Sequence, residues 1–162
     1  MKQLLFGLFL TFSVAGRALD AGVCPTVFQT PDGKPFLEVQ IEIAADPSIY
    51  HWVDTSRVLM NSKVETLLML KQGEKVVLVE KFALNSPDTR YPVPLLDVHR
   101  FGIGDGDYLL EIQFTDLAKP SETAKFSQEI HVKTSSDQFF VSDPVLLGGF
   151  PLFWLSCHRR DE

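Results

Sequence analysis

The chain has 162 residues, of which 45% are hydrophobic and 22% are charged, so it can bury the core of one ordinary domain and is not disordered by composition. Its formal net charge of -6 argues against nucleic acid as a partner, because nucleic-acid binding needs a basic surface. We therefore expect one acidic globular domain that binds no nucleic acid.

The first 18 residues have the pattern of an export signal. Lys2 supplies a positive charge, and the apolar stretch 4–15 that follows is too short to cross a bilayer as a helix. Small residues then allow cleavage after Ala18 or after Gly16. We expect residues 1–18 to be a signal peptide, with no transmembrane helix in the mature chain. The protein is then exported, to the periplasm, the envelope or the medium.

The two cysteines lie near opposite ends of the chain, at Cys24 and Cys157. In an oxidising compartment they could pair, but the sequence alone does not bring their Cα atoms within reach, and two free thiols are an equal alternative. Cys24 could also carry a lipid, although Val23 before it fits a lipidation motif poorly. The sequence leaves these alternatives open.

Alternation of apolar and polar residues, which is typical of strands with one buried face, begins at residue 37. Before it, residues 19–35 are rich in turn-forming residues and predict an N-terminal linker that ends in the turn Pro31-Asp32-Gly33. Residues 44–57 predict a connection with one short extended piece. The alternation predicts strands at 37–43, 64–71, 75–84, 95–101, 108–115, 124–132 and 139–141, of which the second and third form a hairpin around Gly73.

About seven short strands, with turns at intervals of about ten residues, are typical of an antiparallel β-sandwich. We therefore predict an all-β fold of immunoglobulin-like or fibronectin-III-like type over residues 36–143. A short apolar tail follows over 144–162. We interpret this tail as packing on the sandwich, and an exposed patch for a partner or a membrane surface is the alternative.

Residues 102–107 hold three glycines and two aspartates, and the strand after them begins at Tyr108. In immunoglobulin-like sandwiches a tyrosine at such a corner hydrogen-bonds to the backbone a few residues upstream. We predict this structural role for Tyr108, with Gly104 and Gly106 supplying positive φ values. The glycine spacing does not fit a phosphate-binding loop, and the two aspartates lack the rest of a calcium-binding loop.

No combination of residues predicts catalysis, a metal site or a cofactor. The four histidines are scattered along the chain without metal-ligand spacing, and no serine or cysteine stands in a nucleophile motif; these histidines are His51, His99, His131 and His158. His99 lies in a short strand beside Arg100, and His131 lies on the polar face of another strand. We expect a protein that is not an enzyme and has no cofactor.

Several short segments along the chain have an order and spacing that resemble the N-terminal region of bacterial GWxTD-domain proteins. The segments are 31–41, 73–77, 85–87, 101–116 and 140–143. The resemblance implies an exported protein of the kind found in Bacteroidetes and related groups. The Gly-Trp-x-Thr-Asp motif itself is absent, so no residue role of the domain named after it applies here.

These observations predict a non-enzymatic module of the bacterial cell envelope that interacts with another envelope protein or has a structural role. Loop ends and exposed strand edges are the expected contact surfaces, since extended segments of other proteins can add there as strands. The alternative is a sandwich that binds a carbohydrate or another small ligand, with Tyr50 and Trp52 as a stacking platform. The sequence does not indicate an oligomeric state.

Overall fold

The computed structural model describes residues 19–134, and these residues form an all-β structure with antiparallel pairing between neighbouring strands. One short 3-10 helix, Pro47–Ile49, interrupts the strands. The predicted signal peptide, the predicted strand at 139–141 and the tail at 144–162 lie outside the described residues. The described strands are β1 (Ala21–Gln29), β2 (Pro35–Ile43), β3 (His51–Asp54), β4 (Leu59–Asn61), β5 (Lys63–Gln72), β6 (Lys75–Asn85), β7 (Leu95–Gly102), β8 (Gly106–Asp116) and β9 (Thr123–Val132).

The strands form two larger sheets and one small hairpin. The order in the three-stranded sheet is β1-β2-β7, the order in the four-stranded sheet is β6-β5-β8-β9, and β3 pairs with β4. The chain therefore leaves the four-stranded sheet after β6, pairs β7 with β2, and returns at β8. The two larger sheets meet along two sides of the molecule, where β1 contacts β9 and β6 contacts β7.

The two larger sheets share one hydrophobic core. Every second residue of β2 from Leu37 to Ile43 is buried, and so is every second residue of β8 from Tyr108 to Phe114. Full burial of one such side chain contributes roughly 1.5–3 kcal/mol, so the alternation fixes which face of each sheet turns inward. The predicted all-β antiparallel fold is confirmed, and the arrangement is compatible with a β-sandwich.

The linker predicted over residues 19–35 is wrong for most of its length, because β1 occupies it. β1 pairs with β2 along its whole length, from Ala21 opposite Ile43 to Gln29 opposite Pro35. Pro25 suggested a turn, but a proline is tolerated in β1 because this strand lies at the edge of its sheet. The predicted turn at residues 31–33 is present and joins the two strands.

The other strand predictions within the described residues are confirmed to within two residues at each end. The connection predicted over 44–57 contains the 3-10 helix and β3, and β3 pairs with β4, a strand that the sequence did not indicate. Residues 19–134 include no helix with the length and apolar character that crossing a membrane requires.

Candidate functional site

A side-chain hydrogen bond holds the corner that leads into β8. Tyr108 is buried, and its Oη donates to the carbonyl oxygen of Gly104 at 3.0 Å. Gly106 has a φ of +150°, and a Cβ atom at this position would lie 2.5 Å from Nε2 of Gln72. The structure thus brings Gly104, Gly106 and Tyr108 together. Gly106 has the positive φ predicted for both glycines, whereas Gly104 contributes its carbonyl group.

The two aspartates of this corner have different partners on or just after β9. Oδ1 of Asp105 accepts hydrogen bonds from the backbone N–H and the hydroxyl of Thr134, at 3.0 and 2.7 Å. Oδ1 of Asp107 lies 2.8 Å from Nδ1 of His131. Both carboxylates therefore fasten the corner to the last described strand. Within residues 19–134, no three His, Cys, Asp or Glu side chains form a group that could hold a metal ion.

The two aromatic residues predicted to contact a ligand have different surroundings. Tyr50 is buried, and its Oη donates to the carbonyl of Val93 at 2.6 Å and accepts from the N–H of Val93 at 3.2 Å. Its ring therefore belongs to the core and is not open to a ligand. Trp52, in β3, is 58% exposed and remains accessible.

Trp52 lies in a hairpin whose turn is tightly held. The carboxylate of Asp54 accepts hydrogen bonds from the backbone N–H groups of Ser56 and Arg57, at 2.9 and 3.2 Å. The next residue, Val58, has a φ of +56°, a conformation that a β-branched residue rarely adopts. Strain of this kind costs of order 1–3 kcal/mol and is common at functional sites, so this hairpin is a second candidate region.

The side of the molecule where β6 meets β7 has a different character. β6 ends the four-stranded sheet and β7 ends the three-stranded sheet. Within the described residues, neither strand has a hydrogen-bonded neighbour on this side. We refer to these two strands and their unpaired edges as the β6–β7 side.

A histidine lies between two carboxylates at the centre of the β6–β7 side. Nδ1 of His99 is 3.2 Å from Oε2 of Glu80, and Nε2 of His99 is 3.0 Å from Oδ2 of Asp97. The ring also stacks on Phe82, with 3.9 Å between the ring centroids. The His99 side chain is 18% exposed and each carboxylate side chain is 41% exposed. These three residues, which we call the carboxylate–histidine cluster, therefore hold two acidic groups in defined positions that solvent can reach.

The sequence alone does not indicate this cluster. Its members lie on two strands of different sheets, and only the packing of β7 against β6 brings them together. The one signal in the sequence is the alternation of strand faces. Glu80 shares the face of β6 that carries Leu78 and Phe82, and Asp97 and His99 share the face of β7 that carries the buried Leu95. Charged residues at inward positions of an edge strand discourage the addition of strands that leave these charges without a partner, so a strand that adds at this edge needs groups of opposite charge.

Exposed aliphatic side chains flank the cluster. Leu96 and Val98 of β7 are 70% and 49% exposed, and Val79 of β6 is 57% exposed. An open groove of about 520 Å³ lies between residues 83–87 and 94–97. A cleft of about 170 Å³ at the other end, between β6 and the Tyr108 corner, is smaller than small-ligand pockets, which are typically about 300–1,000 Å³.

An ion pair joins β2 to β7 on the outer face of the three-stranded sheet. Nε of Arg100 donates to Oε2 of Glu38 at 2.6 Å, and Nε2 of Gln40 donates to Oε1 of Glu38 at 3.1 Å. The hydrogen bonds from Gln40 and Arg100 hold the pKa of Glu38 below its ordinary value. On β9, the hydrogen bond and the negative charge of Asp107 raise the pKa of His131.

The remaining described histidine and cysteine each have a partner. His51 lies 3.4 Å from the buried carboxylate of Asp116, whose Oδ1 accepts a hydrogen bond from the N–H of Ala118. Cys24 is disulfide-bonded, and a sulfur in a disulfide carries no lipid. His158 and Cys157 lie outside the described residues.

No family model matches this chain, and neither the curated proteins nor the solved structures give a significant match. The resemblance to GWxTD-domain proteins therefore stays a prediction, and the function has to be argued from the residues themselves.

Proposed function

We propose that this protein is a non-enzymatic module of the bacterial cell envelope that binds another envelope protein through the β6–β7 side. The observation that carries this proposal is the meeting of two strand edges that have no hydrogen-bonded neighbour among residues 19–134 and that bear exposed aliphatic side chains. Unpaired edges of this kind accept extended segments of other proteins as additional strands. Leu96 and Val98 are exposed neighbours on one face of β7, and exposed apolar groups that lie together mark interaction surfaces on soluble proteins.

We further infer that the fold is a β-sandwich of the immunoglobulin-like or fibronectin-III-like type. The chain crosses from one sheet to the other at β7 and returns at β8, as the connections of such sandwiches do. Tyr108 stands at the start of β8 and hydrogen-bonds four residues upstream, which matches the tyrosine corner of this fold type.

Two observations support export. The N-terminal 18 residues have the composition of a signal peptide, and the resemblance to GWxTD-domain proteins carries the same expectation. Cys24 is disulfide-bonded, and stable disulfides persist mainly in oxidising compartments. N-terminal sequencing of the chain recovered from the periplasm of an expressing bacterium is expected to begin at residue 17 or 19. A recovered chain that begins at Met1 would contradict export by this signal.

The contacts of His99 support a non-enzymatic role for the β6–β7 side. Each nitrogen of the ring faces a carboxylate, so neither nitrogen is placed to activate a hydroxyl or thiol nucleophile. The ring therefore positions Glu80 and Asp97.

The proposal is tested by capture from an envelope extract of the source bacterium, with the partner identified by mass spectrometry. Three chains are compared: the wild type, Val98→Lys on the β6–β7 side, and Ser127→Lys on β9, whose residue is also exposed on an edge strand. We expect one defined envelope protein to be captured by the wild type and by Ser127→Lys and to be lost with Val98→Lys. Equal recovery by all three chains would contradict the proposed surface.

A second candidate function is the binding of a carbohydrate or another small ligand at the β3–β4 hairpin. The exposure of Trp52 and the positive φ of Val58 favour it. A thermal-shift screen against glycans and short peptides is expected to give a shift that Trp52→Ala removes. A shift that persists in Trp52→Ala would exclude this hairpin as the site.

A further inference from the structure

We propose that the edge of β7 on the β6–β7 side, which has no hydrogen-bonded neighbour among residues 19–134, accepts an extended segment in which apolar and basic residues alternate. This inference rests on the proposed function, because it names the strand that binds and the chemistry of the partner. We assign the binding to β7 rather than to β6, because the two edges differ in the regularity of their strand pairing.

The edge of β6 is poorly suited to a basic partner strand. Its outer face carries Lys81, which pairs with Glu65 at 2.9 Å and is still 60% exposed. A lysine on an edge strand opposes the addition of another strand. The pairing of β6 with β5 is interrupted by a register shift between Leu70 and Lys71, and such an irregularity bends and twists an edge.

The edge of β7 is more regular. β7 pairs with β2 without a register shift, from Leu95 opposite Ile43 to Gly102 opposite Phe36. The outer face of β7 carries Leu96 and Val98, and the cation that follows them, Arg100, pairs with Glu38 and is 69% exposed. This edge is therefore regular, and its outer face is apolar at Leu96 and Val98.

A strand added beside β7 would have a different neighbour on each of its faces. On the outer face, its residues would lie next to Leu96 and Val98, because directly opposed side chains in paired strands are about 4.5–5.5 Å apart. On the inner face, its residues would lie next to Asp97 and His99, with Glu80 across the gap. Since the faces of a strand alternate, apolar residues suit the first set of positions and basic residues suit the second.

The charges on this side favour basic residues at the inner positions. Glu80 and Asp97 share His99 as their partner, and Asp97 also accepts a hydrogen bond from the backbone N–H of Val98 at 2.8 Å. Among the described residues, neither has a lysine or arginine partner, whereas Glu38 and Glu65 nearby each have one. A lysine or arginine at an inner position would give the two solvent-facing carboxylates a permanent cation. The open groove next to Leu96 and Asp97 leaves room for a long side chain to reach Asp97.

The test measures the binding of a fluorescent peptide of about ten residues, the length of a long strand, in which valine and lysine alternate. The full chain is titrated and the fluorescence anisotropy is followed. Two control peptides keep the length: one alternates valine and glutamate, and the other has the same valines and lysines in two blocks. We expect saturable binding of the first peptide and binding of both controls that is about tenfold weaker or more, a difference of about 1.4 kcal/mol.

Matched variants assign the binding to β7. Val98→Lys on β7 is expected to weaken binding about tenfold or more, whereas the same change at Val79 on β6 leaves it within about twofold. The double variant Glu80→Gln with Asp97→Asn is expected to weaken binding and to reduce its dependence on salt, because it removes the charges that attract lysine. Thermal unfolding of each variant confirms that it is folded.

Several results would overturn the inference: no saturable binding, equal affinity for the block peptide, or equal losses in Val98→Lys and Val79→Lys. After any of these results, the proposed function is still supported if the wild type captures the envelope partner and Val98→Lys does not. If Val98→Lys changes neither peptide binding nor partner capture, both the inference and the proposed function fail.

Discussion

The Tyr108 corner and the β6–β7 side are neighbours in the structure, but they are built in opposite ways. At the corner, the hydroxyl of Tyr108 and the carboxylates of Asp105 and Asp107 all find partners within the chain. On the β6–β7 side, the strand edges have no hydrogen-bonded neighbour among residues 19–134, and exposed aliphatic side chains lie beside two carboxylates that share His99. We therefore expect substitutions at the corner to reduce stability, and substitutions on the β6–β7 side to change binding with little loss of stability.

Gly106→Ala is the strongest test of the corner. We expect it to lower the free energy of unfolding by about 2 kcal/mol, because a positive φ strains a residue with a Cβ atom by about 1–3 kcal/mol. The new atom also crowds Gln72. Urea unfolding measures the loss. Gly102→Ala is the matched control, because no heavy atom lies within 4 Å of a Cβ atom at this position. Equal losses in the two variants would contradict this account of the corner.

Tyr108→Phe removes the corner hydrogen bond and keeps the ring. We expect a loss of about 1 kcal/mol, the usual net contribution of one hydrogen bond, measured by the same urea unfolding. Tyr91→Phe serves as the control, because Tyr91 is 76% exposed. If Tyr108→Phe is as stable as the wild type, the hydroxyl contact does not stabilise the corner.

Arg100→Gln tests the β6–β7 side of the comparison, since Arg100 lies on β7. The Arg100 side chain is 69% exposed, so we expect the substitution to lower the free energy of unfolding by no more than about 0.5 kcal/mol. The lowered pKa of Glu38 means that the folded state binds the proton less tightly than the unfolded state. This contribution to stability is therefore present above the ordinary pKa of 4.5 and is lost as the pH falls through the lowered value.

Thermal unfolding from neutral to acidic pH measures this contribution. The wild type is expected to lose stability more steeply than Arg100→Gln as the pH falls below 4.5. Parallel profiles would show that Arg100 has no part in lowering the pKa of Glu38.

His131→Gln is expected to have the smallest effect, since the side chains of His131 and Asp107 are 72% and 86% exposed. Asp107 raises the pKa of His131, so the stabilisation is present below the ordinary value of 6.5 and is lost as the pH rises through the raised value. The difference in melting temperature between about pH 6 and about pH 8 measures it. We expect that difference to shrink in His131→Gln, and an unchanged difference would contradict the assignment.

Alternation of residues is enough to predict most strands of this chain, because the two faces of each inner strand meet different surroundings. The corner could be expected for a similar reason, since a tyrosine and its nearby glycines act over a few residues. β1 was missed because Pro25 signals a turn locally, and only the pairing with β2 makes β1 a strand. The local sequence of a segment does not indicate which strand it pairs with.

The candidate site is harder to predict, because it depends on contacts between distant parts of the chain. Tyr50 and Trp52 are close in sequence and similar in chemistry, yet the backbone of Val93 engages the hydroxyl of Tyr50 while Trp52 is exposed. In the same way, Glu80 and His99 meet because β6 and β7 end their sheets on the same side of the molecule. No periodic pattern in a single strand indicates such a meeting.

The position of β7 in the chain also has a consequence for folding. The hairpins β1–β2, β5–β6 and β8–β9 each join strands that follow one another in the sequence. In contrast, β7 pairs with β2 although strands β3 to β6 lie between them in the sequence. Closing so long a loop is entropically unfavourable and slows the formation of such contacts. We therefore expect β7 to be among the last strands to join. The edge proposed to bind a partner would then exist only in chains that have finished folding, and binding would distinguish them from incomplete ones.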